Sequence, residues 1–526
     1  MTLSRRAALG TLAAAALARP ALAQGDARVL RYVPPADVTI LDPLNTTAYP
    51  TRTHGHLCWD TLYGLDEAFR PQPQLAEGQV VEDDGRRWTF TLREGPTFHD
   101  GEPVRARDAV ASIRRWMARD THGQTLAPRV EEMRALDDRR FEIRLNRPFG
   151  PMLDAMAKAS SYPCFVYPER FAATDPNRAF TEVVGSGPYR FVADERVSGA
   201  RLVYRRYDAY RPAPGTPSMT AGPKIAHFER MEWRILPDAG TVAAALQAGE
   251  VDWWEQISPD LRPVLQRNRN VVVERIDSTG LMAFLRPNHL HPPFDDPAVR
   301  RALWPALPQA DVMQSMLGPD RDRWSDGIGL FPKGSPLEND EGIAAVAAPR
   351  DIEAARRAVA ATGKAGAKVL VLHPTDVNNN NAMTLVVTDF LKKVGFDAES
   401  VTSDWGTVLA RRTRREAPAQ GGWNAVVAVF AGMEMATPAG NLLLRGNGDA
   451  AWFGWPRAAE LERLRDEWFD APTMDAQRGV ARRLQAQFFQ DVPYWPLGQF
   501  NIDGAYRRGL TGIRKGMSLP LNVRWG

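Results

Sequence analysis

Cysteine is nearly absent from this sequence: Cys58 and Cys164 are the only two among 526 residues. A disulfide lattice is therefore excluded as the source of stability, and two buried thiols are the expectation, because free cysteine is among the most buried side chains. A surplus of charge is missing too. The 66 Lys+Arg face 63 Asp+Glu, and Arg5, Arg6 and Arg19 fall in a leader without acidic residues, so the rest of the chain is balanced. A protein living off phosphate contacts needs a basic excess, and the one basic run, 411–415, is short and ends at Glu416; nucleic acid is excluded as a partner. Beyond the leader no apolar run reaches bilayer length, and the richest, 425–431, suits a buried strand.

Catalytic signatures are missing as well. There is no G-x-x-x-x-G-K-[ST] loop, no G-x-S-x-G elbow, no H-E-x-x-H and no paired C-x-x-C. Gly185-Ser186-Gly187 runs into Pro188 and a strand-like 189–192 instead of a helix, so it reads as a turn. His54 with His56 and His289 with His291 would share a face on a strand, yet neither pair has a third ligand at metal spacing. Surface or loop histidines are expected, with no metal, no cofactor and no catalytic residue.

The leader itself is informative. Ser4-Arg5-Arg6 precedes a weakly apolar 7–18 and then Ala21-Leu22-Ala23. Small residues at the first and third of those positions suit a signal peptidase, so cleavage is expected after Ala23. Twin arginines before a mild apolar core are similar to a Tat signal, which implies export to a periplasm.

The remainder reads as α/β. Residues 88–92 and 141–145 alternate like half-buried strands, while 108–119 sets Ala109, Val110, Ile113, Trp116 and Met117 on one helical face. Four prolines and two glycines make 211–223 a loop. Helices are expected at 241–248, stopped by Gly249, and at 297–316, split by Pro305 and Pro308. Farther on, helices at 351–361, 382–394 and 404–415 alternate with strands at 369–372, 398–401 and 425–429, a pattern of parallel sheet under helices. Asn378 to Asn381 is read as loop and cap. Helices at 458–469 and 475–489 precede an aromatic, strand-like end. Of the fifteen tryptophans, Trp253, Trp254, Trp304, Trp324, Trp405 and Trp423 have polar neighbours; most are expected in the core, with some free to line a small-solute pocket.

Several blocks, in order, carry a resemblance. They are Leu41-Asp42-Pro43, Trp59-Asp60-Thr61-Leu62-Tyr63, Pro73-Gln74-Leu75-Ala76, and the stretch from Asp84-Gly85-Arg86-Arg87-Trp88 to His99-Asp100-Gly101. Gly185-Ser186-Gly187-Pro188-Tyr189, Ala245-Leu246-Gln247-Ala248-Gly249-Glu250-Val251-Asp252 and Pro293-Phe294-Asp295-Asp296-Pro297-Ala298-Val299-Arg300 follow. Together they resemble the family 5 solute-binding proteins of ABC importers, the dipeptide- and oligopeptide-binding group. The resemblance implies an α/β, two-lobed periplasmic-binding-protein clamshell of type II, in the large form with an extra subdomain in lobe I. By resemblance lobe I covers 28–277 with an inserted subdomain at about 56–182, lobe II covers 278–493, and 494–526 returns to lobe I. Hinges are implied at 277–279 and 493–495. The implied function is a monomeric periplasmic protein that captures a small solute between its lobes and delivers it to an importer's permease and ATPase. A periplasmic hydrolase, or a sensor or chaperone on the same fold, are the competing readings.

Ligand positions are carried over only where motifs align. Thr47 and Tyr49, counted from Leu41-Asp42-Pro43, match peptide-contacting positions of lobe I, as do Glu255 and Gln256 after Gly249-Glu250-Val251-Asp252. In lobe II, Asp404-Trp405-Gly406-Thr407-Val408-Leu409 resembles the family's E-W-x-x-x-L, implying that Trp405 meets the ligand. Arg412, seven residues on, is either a partner for a ligand carboxylate or part of a solvated helix face. The strand 423–429 leads through Phe430 to Met433, the position aligned with the acid that pairs a peptide's α-amine. Glu434 is adjacent, but neighbours on an extended segment point to opposite faces, so using it requires a bulge. A buried ammonium without a partner costs a few kcal/mol. The expectation is therefore weak or absent binding of ordinary di- and tripeptides, and a modified peptide, amino-acid derivative or other small polar solute stacked on Trp405 and Tyr49.

Overall fold

The computed structural model describes residues 28–346, 349–375 and 377–526; the leader and its cleavage site lie outside them. Apolar strand patterns settle into two large sheets. The first runs in the order Val271–Glu274, Gly504–Arg507, Trp253–Trp254, Val29–Val33, Arg230–Arg234, Arg201–Arg206, Tyr189–Phe191. The second runs Trp324–Ser325, Trp495–Phe500, Leu281–Pro287, Ala425–Ala431, Lys368–Pro374, Asp397–Ser403. In the second sheet parallel pairing is confined to the last three strands, which alternate with helices in sequence, while in the first Val29–Val33 runs parallel to both its neighbours. Ala425–Ala431 lies between neighbours on both edges, which is why it reads as an almost unbroken apolar run rather than an alternation.

Helix boundaries follow local chemistry. Asp238 accepts from Thr241 N at 2.7 Å to open Ala239–Ala248, and Gly249 closes it at φ 78. The 297–316 region splits as its prolines require, into Pro297–Ala302 and Gln309–Leu317. The asparagine run differs from its reading: helix Asn378–Lys393 starts at its first residue. Tertiary packing of the apolar face that follows outweighs the low helix propensity of asparagine.

Between Val33 and Tyr189 the chain leaves the first sheet and builds a subdomain. Its centre is a four-stranded antiparallel sheet in the order Ala76–Glu82, Arg87–Leu92, Arg140–Leu145, Val130–Ala135, with helix Ala106–Met117 packed nearby. The two sheets are joined by two crossings, at 275–280 and 501–503. The first contains the expected hinge at 277–279. The second lies beyond the expected 493–495, because Trp495–Phe500 pairs with Leu281–Pro287 as a member of the second sheet and the chain departs only after Phe500. Tyr494 and Trp495 are buried in that lobe's core.

Cys58 and Cys164 are free and buried. His54 and His56 are not surface residues: both lie within helix Tyr49–Cys58 and are fully buried. His54 Nδ1 is 3.0 Å from the Tyr204 hydroxyl, and His56 Nε2 is 2.9 Å from Ala159 O. Burial lowers the His54 ring to about 3, and both are neutral core groups. Among the described residues no group of three or more His, Cys, Asp or Glu is placed to hold a metal ion, and no helix is long and apolar enough to cross a membrane.

Candidate functional site

The first wall of the site is built where the first sheet meets helix Tyr49–Cys58. Residues three apart share a helical face, and the Arg52 guanidinium lies 4.8 Å from the centre of the Tyr49 ring. Glu255 follows strand Trp253–Trp254 and is fixed by its own N–H to Val33 O at 3.0 Å. Its carboxylate accepts the Tyr32 hydroxyl at 2.5 Å. Burial pushes Glu255 up to about 7, against the lowering effects of Tyr32 and Arg52 and with a contribution from Asp277. Asp277 sits in the first crossing and caps its turn, accepting from Thr279 N at 2.8 Å and Gly280 N at 3.0 Å; burial raises its carboxyl also. Tyr49, Arg52, Glu255, Gln256, Asp277 and Ala431 are among the residues lining a small pocket between the sheets.

The second wall comes from the end of Ala425–Ala431. Here the structure corrects the extended reading: Gly432–Met435 is a helical turn. Successive side chains on a helix are about 100° apart rather than opposed, so Met433 and Glu434 line the same cavity without any bulge. Gly432 makes the turn possible by close approach, since a Cβ there would lie 2.3 Å from Thr279 O. Glu434 is 6% exposed. Its Oε1 accepts the Ser161 hydroxyl and, at 3.3 Å, that of Ser160, while Oε2 takes neither. Ser160 in turn accepts from Arg52 at 3.1 Å. Burial raises the Glu434 carboxyl, opposed by Ser161, Arg52 and Lys158, and burial followed by the charge of Glu434 raises the Tyr49 hydroxyl. The serine loop is strained: Ser161 and Tyr162 have φ of 43° and 53°, and Trp116 Nε1 holds the loop by donating to Tyr162 O at 2.9 Å.

A third group is aromatic. Asp404 caps helix Trp405–Arg411 through Thr407 N at 3.0 Å, and Trp405 packs on the cluster of Leu372, Val408, Trp423, Val426 and Trp455. Arg412 is not on a solvated face. Its guanidinium lies 4.8 Å from the ring of Phe453, 5.2 Å from Trp452 and 6.0 Å from Trp405. Its Nε is buried without a partner, and burial lowers the group to about 10. Phe430 joins this cage to the second wall through Trp452, at 6.0 Å between ring centres. Thr47 is exposed and lines neither interlobe cavity. Of the other tryptophans singled out, Trp253, Trp254, Trp304, Trp324 and Trp423 are all buried in the core.

The walls meet. The subdomain docks on the second lobe through Thr121 Oγ1 to Ala439 O at 2.7 Å, Arg129 Nη2 to Asp470 Oδ1 at 2.7 Å and Gly150 N to Phe469 O at 2.8 Å. Phe149 stacks on Phe469 at 5.6 Å. Sequence reasoning missed Arg52, Ser160, Ser161 and Trp452. Arg52 carried a usable signal, three residues beyond Tyr49 on one helix. The serines come from a loop more than a hundred residues away and carried none.

The chemistry assembled is recognition. Glu255, Asp277 and Glu434 surround one guanidinium, Arg52, so the hinge side of the cleft has acid in excess, while Arg412 stands in a separate aromatic cage. Such a cleft favours a cationic group at one end and an anionic group at the other.

Known proteins resemble the chain along most of its length. The model of the family described as "Bacterial extracellular solute-binding proteins, family 5 Middle" matches residues 70–441. A Sinorhizobium fredii protein, "Probable peptide ABC transporter periplasmic-binding protein y4tO", is 34% identical over 521 residues, 98% of this chain and 97% of its own. Among solved structures, the binding protein AgaA from A. tumefaciens R10 in complex with agropinic acid has a TM-score of 0.76 at 18% identity, covering 95% of this chain and 99% of AgaA. The Helicobacter pylori binding protein DppA in complex with peptide STSA has a TM-score of 0.76 at 18% identity, covering 96% and 100%. At that identity the two structures establish the fold alone.

Proposed function

The chain belongs to family 5 of the bacterial extracellular solute-binding proteins, and from that premise we propose that its ligand is a small zwitterion, peptide-like or derived from an amino acid. The protein acts as the periplasmic substrate-binding component of an ABC importer, holding ligand between two lobes for delivery. The ligand's cationic group goes to Glu434 Oε2 and the neighbouring acids, and its carboxylate to Arg412. The protein works as a monomer and turns nothing over.

One observation carries this reading. The contact series Arg52, Ser160, Glu434 crosses from the first lobe to the second, so a ligand ammonium placed there touches both lobes and favours closure by its differential affinity. The exclusion of unmodified peptides loses its geometric basis, since the helical turn supplies the acid that an extended segment would have turned away. The names of similar proteins support the class: peptide for the Sinorhizobium fredii and Helicobacter pylori proteins, agropinic acid for AgaA.

The test is mass spectrometry of small molecules released by denaturing protein purified from its own periplasm, followed by titration of the released compound into wild type and Glu434→Gln. A zwitterion whose affinity falls by about 100-fold in the variant is expected, the usual cost of unpairing a buried charge. A released compound without a cationic group, or an unaffected variant, overturns the reading.

A further inference from the structure

The cavity beneath Glu434 is larger than a single ammonium needs, and its floor belongs to the inserted subdomain. Leu65, Phe69, Leu337, Met433 and Met474 form apolar walls, while Asp154 and Lys158 line it from the short subdomain helix Met152–Ala157 and the residue that follows it. The two charged residues are not equivalent. Lys158 is committed to Asp120, with which it forms a buried ion pair. Among the described residues Asp154 makes no ion pair and no hydrogen bond to another residue's side chain, its carboxyl meeting only its own backbone N–H, and it is partly exposed. The same Asp154 lines a second, more open groove that shares Phe69, Pro336, Met474 and Gln477 with the inner cavity. It therefore stands where the inner chamber meets the outer groove.

A second observation points to an occupant. Trp468 lines the chamber at 2% exposure, and its indole N–H is buried without a partner. An indole donor left unmade beside a cavity costs free energy unless an acceptor enters, such as a carbonyl or carboxylate oxygen of the ligand; it does not itself call for a cation. The group that calls for a cation is the Asp154 carboxyl, which has no counter-charge, and burial holds it up at about 6. The other titratable neighbours supply no counter-charge: burial lowers the His122 ring, Lys158 is neutralised by Asp120, and Glu434 is itself acidic.

We infer that this chamber is a second ligand subsite, in which Asp154 receives a cationic side-chain group, so that the solute carries a basic side chain in addition to its zwitterionic head. The inference rests on the reading of the cleft as a zwitterion site. It assigns the inserted subdomain a part in selectivity, reached through the apolar stem of the ligand's side chain along Phe69, Leu337 and Met433. A lysine- or arginine-like chain has the required form, an apolar stem ending in a cation. The outer groove allows that end to remain hydrated or to extend further.

The test compares probes that differ by one charge at equal length: L-lysine with L-2-aminoheptanoic acid and L-arginine with L-citrulline, each as the free amino acid and as its glycyl dipeptide. Native mass spectrometry at about pH 8 reads retention by the full protein. Wild type is expected to hold the charged member of a pair about ten-fold tighter, and Asp154→Asn to reduce that ratio to about two-fold with the neutral member unchanged. Wild type at about pH 5, where Asp154 is mostly protonated, should lose the preference without any substitution, which keeps the inference testable if the variant folds poorly. Retention of neutral members at equal or higher affinity, or a preference that survives in Asp154→Asn, overturns the subsite and leaves the zwitterion reading intact. If no member of any pair is retained, the zwitterion reading fails and the subsite with it.

Discussion

Gly150 offers a way to separate closure from folding. Its N–H donates to Phe469 O at 2.8 Å across the gap between subdomain and second lobe, and a Cβ built on it would lie 2.0 Å from Ala471 O. That oxygen is backbone and cannot swing aside. Gly150 is not in the left-handed region, so alanine is tolerated wherever the two surfaces are apart. Gly150→Ala therefore penalises the docked arrangement alone. Docking in the variant forfeits the hydrogen bond, about 1 kcal/mol, and loosens the Phe149–Phe469 stack, about another 1 kcal/mol. Adding the steric displacement, we expect about 2–4 kcal/mol against closure, or a fall in ligand affinity of about 30- to 1000-fold. Small-angle scattering should show a larger radius of gyration for the variant than for wild type, and titration with the released compound should show the affinity loss, with thermal unfolding of the separated lobes little changed. Equal scattering and equal affinity would refute the argument, because the contact would then be absent from the closed state in solution.

Three further outcomes are expected. Glu255 binds its proton more tightly in the folded protein than at its ordinary value of 4.5, rising to about 7, so its burial destabilises the fold increasingly as pH rises through that window. The advantage of Glu255→Gln over wild type in thermal unfolding should accordingly be small near pH 4.5 and grow to about 3 kcal/mol above pH 7, less whatever the Tyr32 hydrogen bond loses; a pH-independent difference contradicts it. Arg412→Met keeps an apolar stem between Trp452 and Phe453 while removing the charge, so affinity for a carboxylate-bearing ligand should drop about 30-fold or more with a minor change in melting temperature; a large melting change with unchanged affinity would make Arg412 a packing residue. Ser161→Gly relieves a left-handed position and deletes one donor to Glu434. Unliganded protein should lose closed-state population by scattering yet retain its unfolding free energy within about 1 kcal/mol.

Much of the architecture was legible because it is written in local patterns. Gly249 ends its helix, Pro305 and Pro308 split theirs, and the apolar 425–431 run is a strand flanked on both edges. The ordered motif blocks identified the family without recourse to any pocket. The misses share another cause. Whether Trp495–Phe500 stays in the second sheet depends on a partner two hundred residues earlier, and whether Met433 and Glu434 oppose or accompany each other depends on Gly432 approaching Thr279. The asparagine run became helix for a similar reason. Arg412 was ambiguous in sequence because its cage is assembled from Trp452 and Phe453 as well as Trp405. Sequence states what a segment prefers, and it is silent on which distant surface arrives to complete it.

The two thiols have a consequence for how the fold is reached. Cys58 and Cys164 are both interior and unpaired, with burial holding each in the protonated form. No oxidant or disulfide isomerase is then required at any step, and the native state is attainable in a reducing compartment as readily as in an oxidising one. Once formed, the core keeps both sulfurs from reagents that need the thiolate. Their rate of alkylation thus serves as a built-in clock for the opening of the first lobe, Cys58 timing the release of helix Tyr49–Cys58 that carries Tyr49 and Arg52.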